Sequence, residues 1–283
     1  MDLSAAVTIQ RPGAAPLDLN SVRDPAAIGS SPVSGYMIDS VDFSMVGVSA
    51  FTEDTPLVDG IDSYDPYLGG RQINMIISVY GSTYGDFWDK ITALNFALQA
   101  MPRAANTGTY AALDADGKRK MSFSQPNAGG SYSLYMMVRP AAMPRFVVDN
   151  ASVAGISERG YSTKVQVSLI AEDPYKYFET SSTFSRSGTG NITVVNAGTT
   201  IAWPVITWAR TSSTAVSATL GSYVVSHSAA ATSVTDTFRT AESTSSSTFT
   251  AYSFFPIPPG TSTVAVTGQS GQTISIVIRE ALV

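Results

Sequence analysis

The chain has 283 residues, 22 acidic against 17 basic side chains, one histidine and no cysteine, with 44% hydrophobic and only 14% charged residues. That length fits two modest domains, each able to bury its own core. The absence of cysteine removes disulfides, thiolate nucleophiles and sulfur ligation of zinc or iron, and a lone His227 leaves no histidine pair for a metal; a net charge of -5 without a Lys/Arg run argues against gripping a nucleic-acid backbone.

The opening Met1–Gln10 lacks a basic start followed by an apolar stretch and runs straight into Arg11-Pro12-Gly13, so no signal peptide is expected. Apolar runs elsewhere fall far short of the ~20 residues of a membrane-spanning helix. The chain therefore reads as cytosolic when made, and the sequons at Asn150 and Asn191 as chance matches. Residues 1–35, rich in Pro, Gly and Ala, read as an N-terminal arm that orders on a partner.

From residue 36 to about residue 180 the chain reads mostly as strands. Arg71–Tyr80, Ser131–Arg139 and Lys164–Ile170 carry a period of two, the first becoming mostly apolar as in a strand buried partly on both faces. Ala115-Asp116-Gly117-Lys118 predicts a tight hairpin, because Asp-Gly supplies the positive φ angles of the turn. One segment breaks the pattern. Over 86–101 the residues Phe87, Ile91, Leu94, Leu98 and Met101 recur at intervals of four, three, four and three, which places them on one helical face. Ser82 or Thr83 can cap its start, Asp86 and Asp89 suit the positive end of the dipole, and Pro102 stops it.

Composition then shifts. Residues 1–183 hold 13 basic and 19 acidic side chains, whereas 184–283 hold four and three among 36 Ser and Thr. Asp173-Pro174 ends an alternating strand and the polar run after Phe178 reads as a connector, so a first domain is placed at 36–180, a linker at 181–190 and a second domain at 191–283. Short apolar strands in that second domain (191–195, 203–208, 223–225, 263–266, 273–279), separated by Gly and Pro, are the pattern of an antiparallel sandwich. The low-complexity run Glu242–Ser247 reads as a mobile loop.

Candidate chemistry is sparse. Ser226-His227-Ser228 places serine beside imidazole, but neighbours on a strand point to opposite faces and no orienting carboxylate adjoins them, so a surface or loop histidine is the simpler reading. Asp114, Asp116 and Gly117 resemble a calcium loop only faintly, with Gln125 where the twelfth ligand would stand, and the hairpin turn explains them better. Asp59, Asp62 and Asp65 recur every third residue, a spacing that fits turn chemistry and an acidic edge better than a metal site. Asp236, Glu242 and Glu280 are too dispersed to flank a glycosidic bond. Trp203 and Trp208 could stack on sugars, yet five residues apart they face opposite sides of a regular strand and at least one belongs to the core. Gly69-Gly70 and Gly129-Gly130 lack the context of a phosphate cradle and read as turns. No catalytic, cofactor-binding or metal-binding residue is assigned.

The order of pieces is more telling. Gly69-Gly70-Arg71 opening an apolar strand, a helix ending at Pro102, hairpins, and then Val165–Ala171 running into Glu172-Asp173-Pro174-Tyr175-Lys176-Tyr177 resemble the distal tail protein family of long-tailed bacteriophages. Asn196-Ala197-Gly198, Pro204–Thr207 and Ile257-Pro258-Pro259-Gly260 before a last strand are similar to the galectin-like sandwich of that family. The resemblance spans about Tyr36 to the C-terminus. It implies a mainly β protein without enzymatic activity or cofactor: a β-rich ring-forming domain with one amphipathic helix, then a galectin-like antiparallel β-sandwich. It further implies a homohexameric ring at the distal end of the virion tail, joining tail tube to baseplate hub and other tail-tip proteins, with DNA passing in transit and no membrane insertion. A net -6 over residues 1–183 suits a lumen that must not retain phosphates. The alternatives are a carbohydrate-binding module of a host-recognition device, carried by Trp203 or Trp208, and, more remotely, a hydrolase using Asp59, Asp62 or Asp65.

Overall fold

The computed structural model describes residues 5–23, 33–44, 48–49, 52–54, 61–63, 67–99, 118–147, 160–210, 215–227, 234–239, 249–252, 255–268 and 271–283. The chain divides into two units, Met1–Pro174 and Tyr175–Val283.

The first unit contains β1 (Thr8–Gln10), β2 (Leu17–Asp18), β3 (Gly35–Phe43), β4 (Val48–Ser49), β5 (Thr52–Asp54), β6 (Ile61–Ser63), β7 (Tyr67–Leu68), β8 (Arg71–Gly81), α1 (Tyr84–Leu98), β9 (Arg119–Asn127), β10 (Gly130–Pro140), β11 (Arg145–Val147) and β12 (Tyr161–Ala171). Its main sheet runs β2-β1-β9-β10-β12-β8-β3, every neighbour antiparallel. Strand alternation carries through to burial: in β12, Val165, Val167, Leu169 and Ala171 point to the core, while Lys164, Gln166 and Ile170 face out. The predicted Asp116-Gly117 turn lies outside the described residues.

Helix α1 buries Phe87, Ile91, Leu94, Ala97 and Leu98, four of them on the face that the sequence spacing marks; Met101 and Pro102 lie outside the described residues. Of the two candidate caps, Thr83 takes the role, its Oγ1 accepting the Asp86 amide at 3.1 Å. The Asp86 carboxylate in turn accepts the amide of Ser82, the residue before the cap, at 2.8 Å. At the other end Arg119, 0% exposed, donates to the carbonyls of Ala97, Gln99 and Lys118, each at 3.1 Å. The last turn of a helix leaves four carbonyls without intrahelical donors and a partial negative charge, and a guanidinium satisfies both. Close packing fixes the helix start as well: a Cβ on Gly81 would lie 2.3 Å from Phe87 Cα.

Residues 1–35 do not behave as a free arm where they are described. Val7, Ile9 and Leu19 are fully buried, and β1 lies antiparallel along β9 with Ile9 opposite Met121. Beyond β2 the chain turns onto the opposite rim of the sheet. Asn20 Oδ1 accepts the Ile38 amide at 3.1 Å, Ser21 Oγ accepts the Tyr36 amide at 3.0 Å, and the Val22 amide donates to Tyr36 O at 2.8 Å. Residues 17–22 therefore touch both ends of the sheet and close it, covering backbone groups of β3 that would otherwise form an open edge. Gly35 is required here, since a Cβ would sit 2.4 Å from Ser21 Oγ.

The second unit contains β13 (Lys176–Phe178), β14 (Ser182–Ser187), β15 (Gly190–Asn196), β16 (Val205–Arg210), β17 (Val216–Leu220), β18 (Tyr223–His227), β19 (Val234–Arg239), β20 (Phe249–Tyr252), β21 (Gly260–Thr267), β22 (Thr273–Ile278) and β23 (Ala281–Leu282). A four-stranded sheet, β14-β22-β16-β19, and a five-stranded sheet, β15-β21-β17-β18-β20, make the antiparallel sandwich. Both sheets supply its core, including Trp208, Ile206, Ile274 and Ile276 from the first and Ile192, Val194, Val225 and Val264 from the second. The stretch 181–190, read as a linker, is instead occupied largely by edge strand β14, paired with β22 from Ser182 opposite Ile278 to Ser187 opposite Thr273. Its polar composition is what an edge strand tolerates, and Phe184 supplies the core contact. The Glu242–Ser247 loop lies outside the described residues.

Candidate functional site

On the first unit, the outward side of α1 carries Tyr84, Trp88 and Phe96, all exposed. Their four- and eight-residue spacing sets them along one side of the helix. Tyr84 packs edge-on against both Trp88 and Tyr161, ring centroids 6.1 and 5.5 Å apart, and the Arg11 guanidinium lies 4.3 Å over the Phe96 ring. Beside Phe96 is an apolar cleft of about 250 Å³ walled by Ala14, Ala15, Ala93 and Ala97. The row is an exposed aromatic strip on the helix, outside the buried core.

The outward face of β12, β8 and β3 is built differently. Ser168 Oγ donates to Asn74 Oδ1 at 2.8 Å, Ser78 Oγ to Asp39 Oδ2 at 2.8 Å, and Lys164 Nζ meets the same Asp39 oxygen at 2.8 Å. That hydrogen bond and the carboxylate charge raise the Lys164 pKa. The face is thus mostly amide and hydroxyl, with its lysine charge matched by a carboxylate.

In the second unit, a cleft of about 360 Å³ is lined by Tyr175, Tyr177, Ile201, Trp203 and Arg279, among others. Tyr175 and Tyr177 flank Lys176 in extended chain and meet edge-on, centroids 6.4 Å apart. The opposite wall is the 198–204 loop, braced by Asn196, which donates from Nδ2 to Thr200 O at 2.8 Å and to Ile257 O at 3.0 Å and accepts the Gly198 amide at 2.9 Å. The Thr199 amide adds a 2.9 Å bond to Ala281 O, and Ala202 and Ile257 exchange backbone bonds of 2.9 Å each way. Gly198 is obligatory because a Cβ would meet Ala281 O at 2.4 Å.

Among the described residues, those singled out in the sequence do not converge. His227 ends β18, where its backbone faces Val216 and the register shifts between Ser226 and His227. Asp62 sits in β6, while Asp59, Asp65, Asp114, Asp116, Gly117, Asn150 and Glu242 lie outside the described residues. Asp236 pairs in register with Trp208, and Glu280 is buried, accepting a 2.7 Å bond from Ser182 Oγ. Asn191 and Gln125 are strand residues. Gly70 approaches closely enough that a Cβ would lie 2.9 Å from Ala171 O, and Gly130 adopts φ +145 as it opens β10 after the turn from β9. The two tryptophans separate: Trp208 is 0% exposed in the sandwich core, and Trp203 is 46% exposed on the cleft. Sequence reasoning does not reach Tyr175, Tyr177 and Arg279 as cleft residues; the alternating aromatics of Asp173-Pro174-Tyr175-Lys176-Tyr177 are the available signal. Among the described residues no group of three His, Cys, Asp or Glu side chains could hold a metal ion, and no helix is long and apolar enough to cross a membrane.

Among solved structures, the chain matches the phage SPP1 Dit (gp 19.1) protein, described as a paradigm of the hub adsorption apparatus in Gram-positive infecting phages. The match has a TM-score of 0.60 at 17% identity over 98% of this chain and 99% of that one. The fold is that of a phage Dit protein. Chains of the phage P2 baseplate in its activated conformation also match, with Ca at 7% identity (TM-score 0.41) and with Sr at 8% (0.42), each over 97% of both chains. No family model and no curated protein matches. A Dit-like fold agrees with what the sequence patterns resemble: mainly β, one helix among the described residues, and a two-sheet sandwich in the second unit.

Proposed function

We propose that this chain is a structural protein of a phage tail tip, a distal tail protein whose activity is its assembly. In this reading six copies associate through the first unit into a ring that joins the tail tube to the baseplate hub, with the sandwich units projecting from it and DNA passing through the lumen of the virion tail. The observation that carries the proposal is the fold likeness to the SPP1 Dit protein, which extends over essentially the whole of both chains. Two surfaces of the first unit support it. The exposed aromatic row of α1 gives copies an apolar surface through which to associate. The net -6 of residues 1–183, together with a sheet face whose lysine is matched by Asp39, offers little fixed positive charge to hold passing phosphates.

Native mass measurement of the purified protein, alone and mixed with tube and hub proteins, tests the assembly. A six-fold mass, or a six-fold annulus in negative-stain images, is the expected result. A monomer under all these conditions, at micromolar concentration and in intact particles, refutes it.

A further inference from the structure

The cleft of the second unit is walled by aromatic side chains, with one guanidinium on its lining. Its volume of about 360 Å³ lies at the compact end of the roughly 300–1,000 Å³ range of small-molecule sites. Its walls combine flat π faces with polar tips. Tyr175 and Tyr177 are half-buried and carry hydroxyls, while Trp203 presents an indole that is 46% exposed beside an exposed Ile201.

Trp203 is not exposed because its loop is loose. The loop is held on one side by Asn196 and on the other by the paired backbone bonds of Ala202 and Ile257, and Pro204 fixes the chain just after the indole. Tyr177 is equally fixed, its backbone opposite Ala281 in the β13–β23 pair. The surfaces are therefore preorganised, which reduces the ordering cost of binding. The charged group on the lining is a guanidinium, Arg279, and among the described residues no carboxylate lines the cleft, which favours a neutral or acidic ligand over a cationic one. Aromatic faces on two walls of a compact cleft, with a guanidinium on its lining, suit the C–H faces of sugar rings.

We propose that this cleft is a carbohydrate-binding site in which a pyranose ring stacks on Trp203 against the Tyr175–Tyr177 pair. The site resides in the second unit, so it goes beyond the ring-adaptor reading and does not depend on it.

The test uses the purified full-length chain on an array of neutral and uronic-acid-containing oligosaccharides and bacterial surface polysaccharides, with a proline-rich peptide measured in parallel. The expected result is saccharide binding that weakens at least tenfold in Trp203→Ala, is largely kept in Trp203→Phe, and is unchanged in Tyr223→Ala, which removes an exposed aromatic from the β17–β18 hairpin. Unchanged thermal unfolding of the variants shows that the loss is one of binding. An array silent throughout, saccharide binding that survives Trp203→Ala, or Trp203-dependent binding of the peptide alone overturns the proposal. Ring mass is read separately, so a chain that binds sugar as a monomer refutes only the assembly, and a ring that binds none refutes only the site.

Discussion

Replacing Arg119 tests how far the first unit depends on one buried cation. Its guanidinium is fully enclosed and gives 3.1 Å hydrogen bonds to Ala97 O, Gln99 O and Lys118 O. Arg119→Met keeps most of the apolar stem and removes every donor. Of the three acceptors, Ala97 O is in a buried bond and the other two are in partly buried ones, so water can replace the guanidinium only in part. Hydrogen bonds to charged groups contribute about 1.5–3 kcal/mol where buried, and neutral, wetter ones nearer 1 kcal/mol. Taking the upper range for Ala97 and less for the others, and subtracting the relief of no longer burying a charge, gives a loss of about 3 kcal/mol. For a unit of this size that corresponds to a melting temperature about 6–12 °C lower, measurable by calorimetry on the full chain. Arg119→Lys recovers little, because an ammonium cannot span three carbonyls as a planar fork does. Unfolding of Arg119→Met within about 0.5 kcal/mol of the parent, near the noise expected of surface changes, would show that the helix end does not need this cap.

Gly198→Ala places a methyl 2.4 Å from Ala281 O and is expected to destabilise the sandwich by about 2–3 kcal/mol, whereas Gly85→Ala, where the added carbon meets nothing within 4 Å in the first turn of α1, should gain up to about 1 kcal/mol; chemical denaturation of both variants checks the contrast. Tyr36, whose hydroxyl donates to Lys90 O at 2.8 Å, has its pKa pushed up to about 12, first by burial and then by the Asp86 charge. An unfolded tyrosine ionises near pH ~10, so this group's contribution is whole below that pH and is lost as pH rises towards the folded value; Tyr36→Phe should be less stable at neutral pH and show a shallower alkaline decline in a pH series of melts. Asp86 runs the other way: burial would raise its pKa, but bonds from Ser34 and Ser82 and the charge of Lys90 outweigh that and lower it, so its contribution is present above the ordinary carboxylate range and is lost on acidification, a step that Asp86→Asn should remove from the acid melt. Deleting residues 1–23 should expose both ends of the main sheet and give soluble aggregates on size exclusion; a monodisperse, equally stable product would contradict the closure.

The helix was legible because its apolar residues repeat with the period of the backbone: Phe87, Ile91, Leu94 and Leu98 needed no tertiary information to fall on one side. Strand β12 was legible for the same reason with a period of two. Where burial is contributed by few residues the pattern fails. Val7, Ile9 and Leu19 are separated by a Pro/Gly turn, so nothing in their spacing shows that they meet a sheet end formed more than a hundred positions later. Strand β14 was hidden in its serines, because an edge strand needs only Phe184 to face inward. Alternation required at least one of Trp203 and Trp208 to be core, and Trp208 is; it could not show that Trp203, outside β16 and before Pro204, would form a cleft wall with Tyr177, from a strand beginning 27 positions earlier at Lys176, and Tyr175 just before that strand. Surfaces made by loops depend on which distant segments adjoin, and that information is in the topology rather than in any local run.

Closure of the main sheet by β1 and the residues after it has a kinetic corollary. Thr8 lies opposite Ser122 in the β1–β9 pair, so a segment synthesised early must wait for a partner made more than a hundred residues later. Loop closure over that span is slow, and during synthesis the nascent chain carries an unmatched hydrophobic hem. The same geometry makes a bulky fusion ahead of β1 a poor choice for purification and one after β23, in a different unit, a more neutral one, with respect to when and whether the first unit seals.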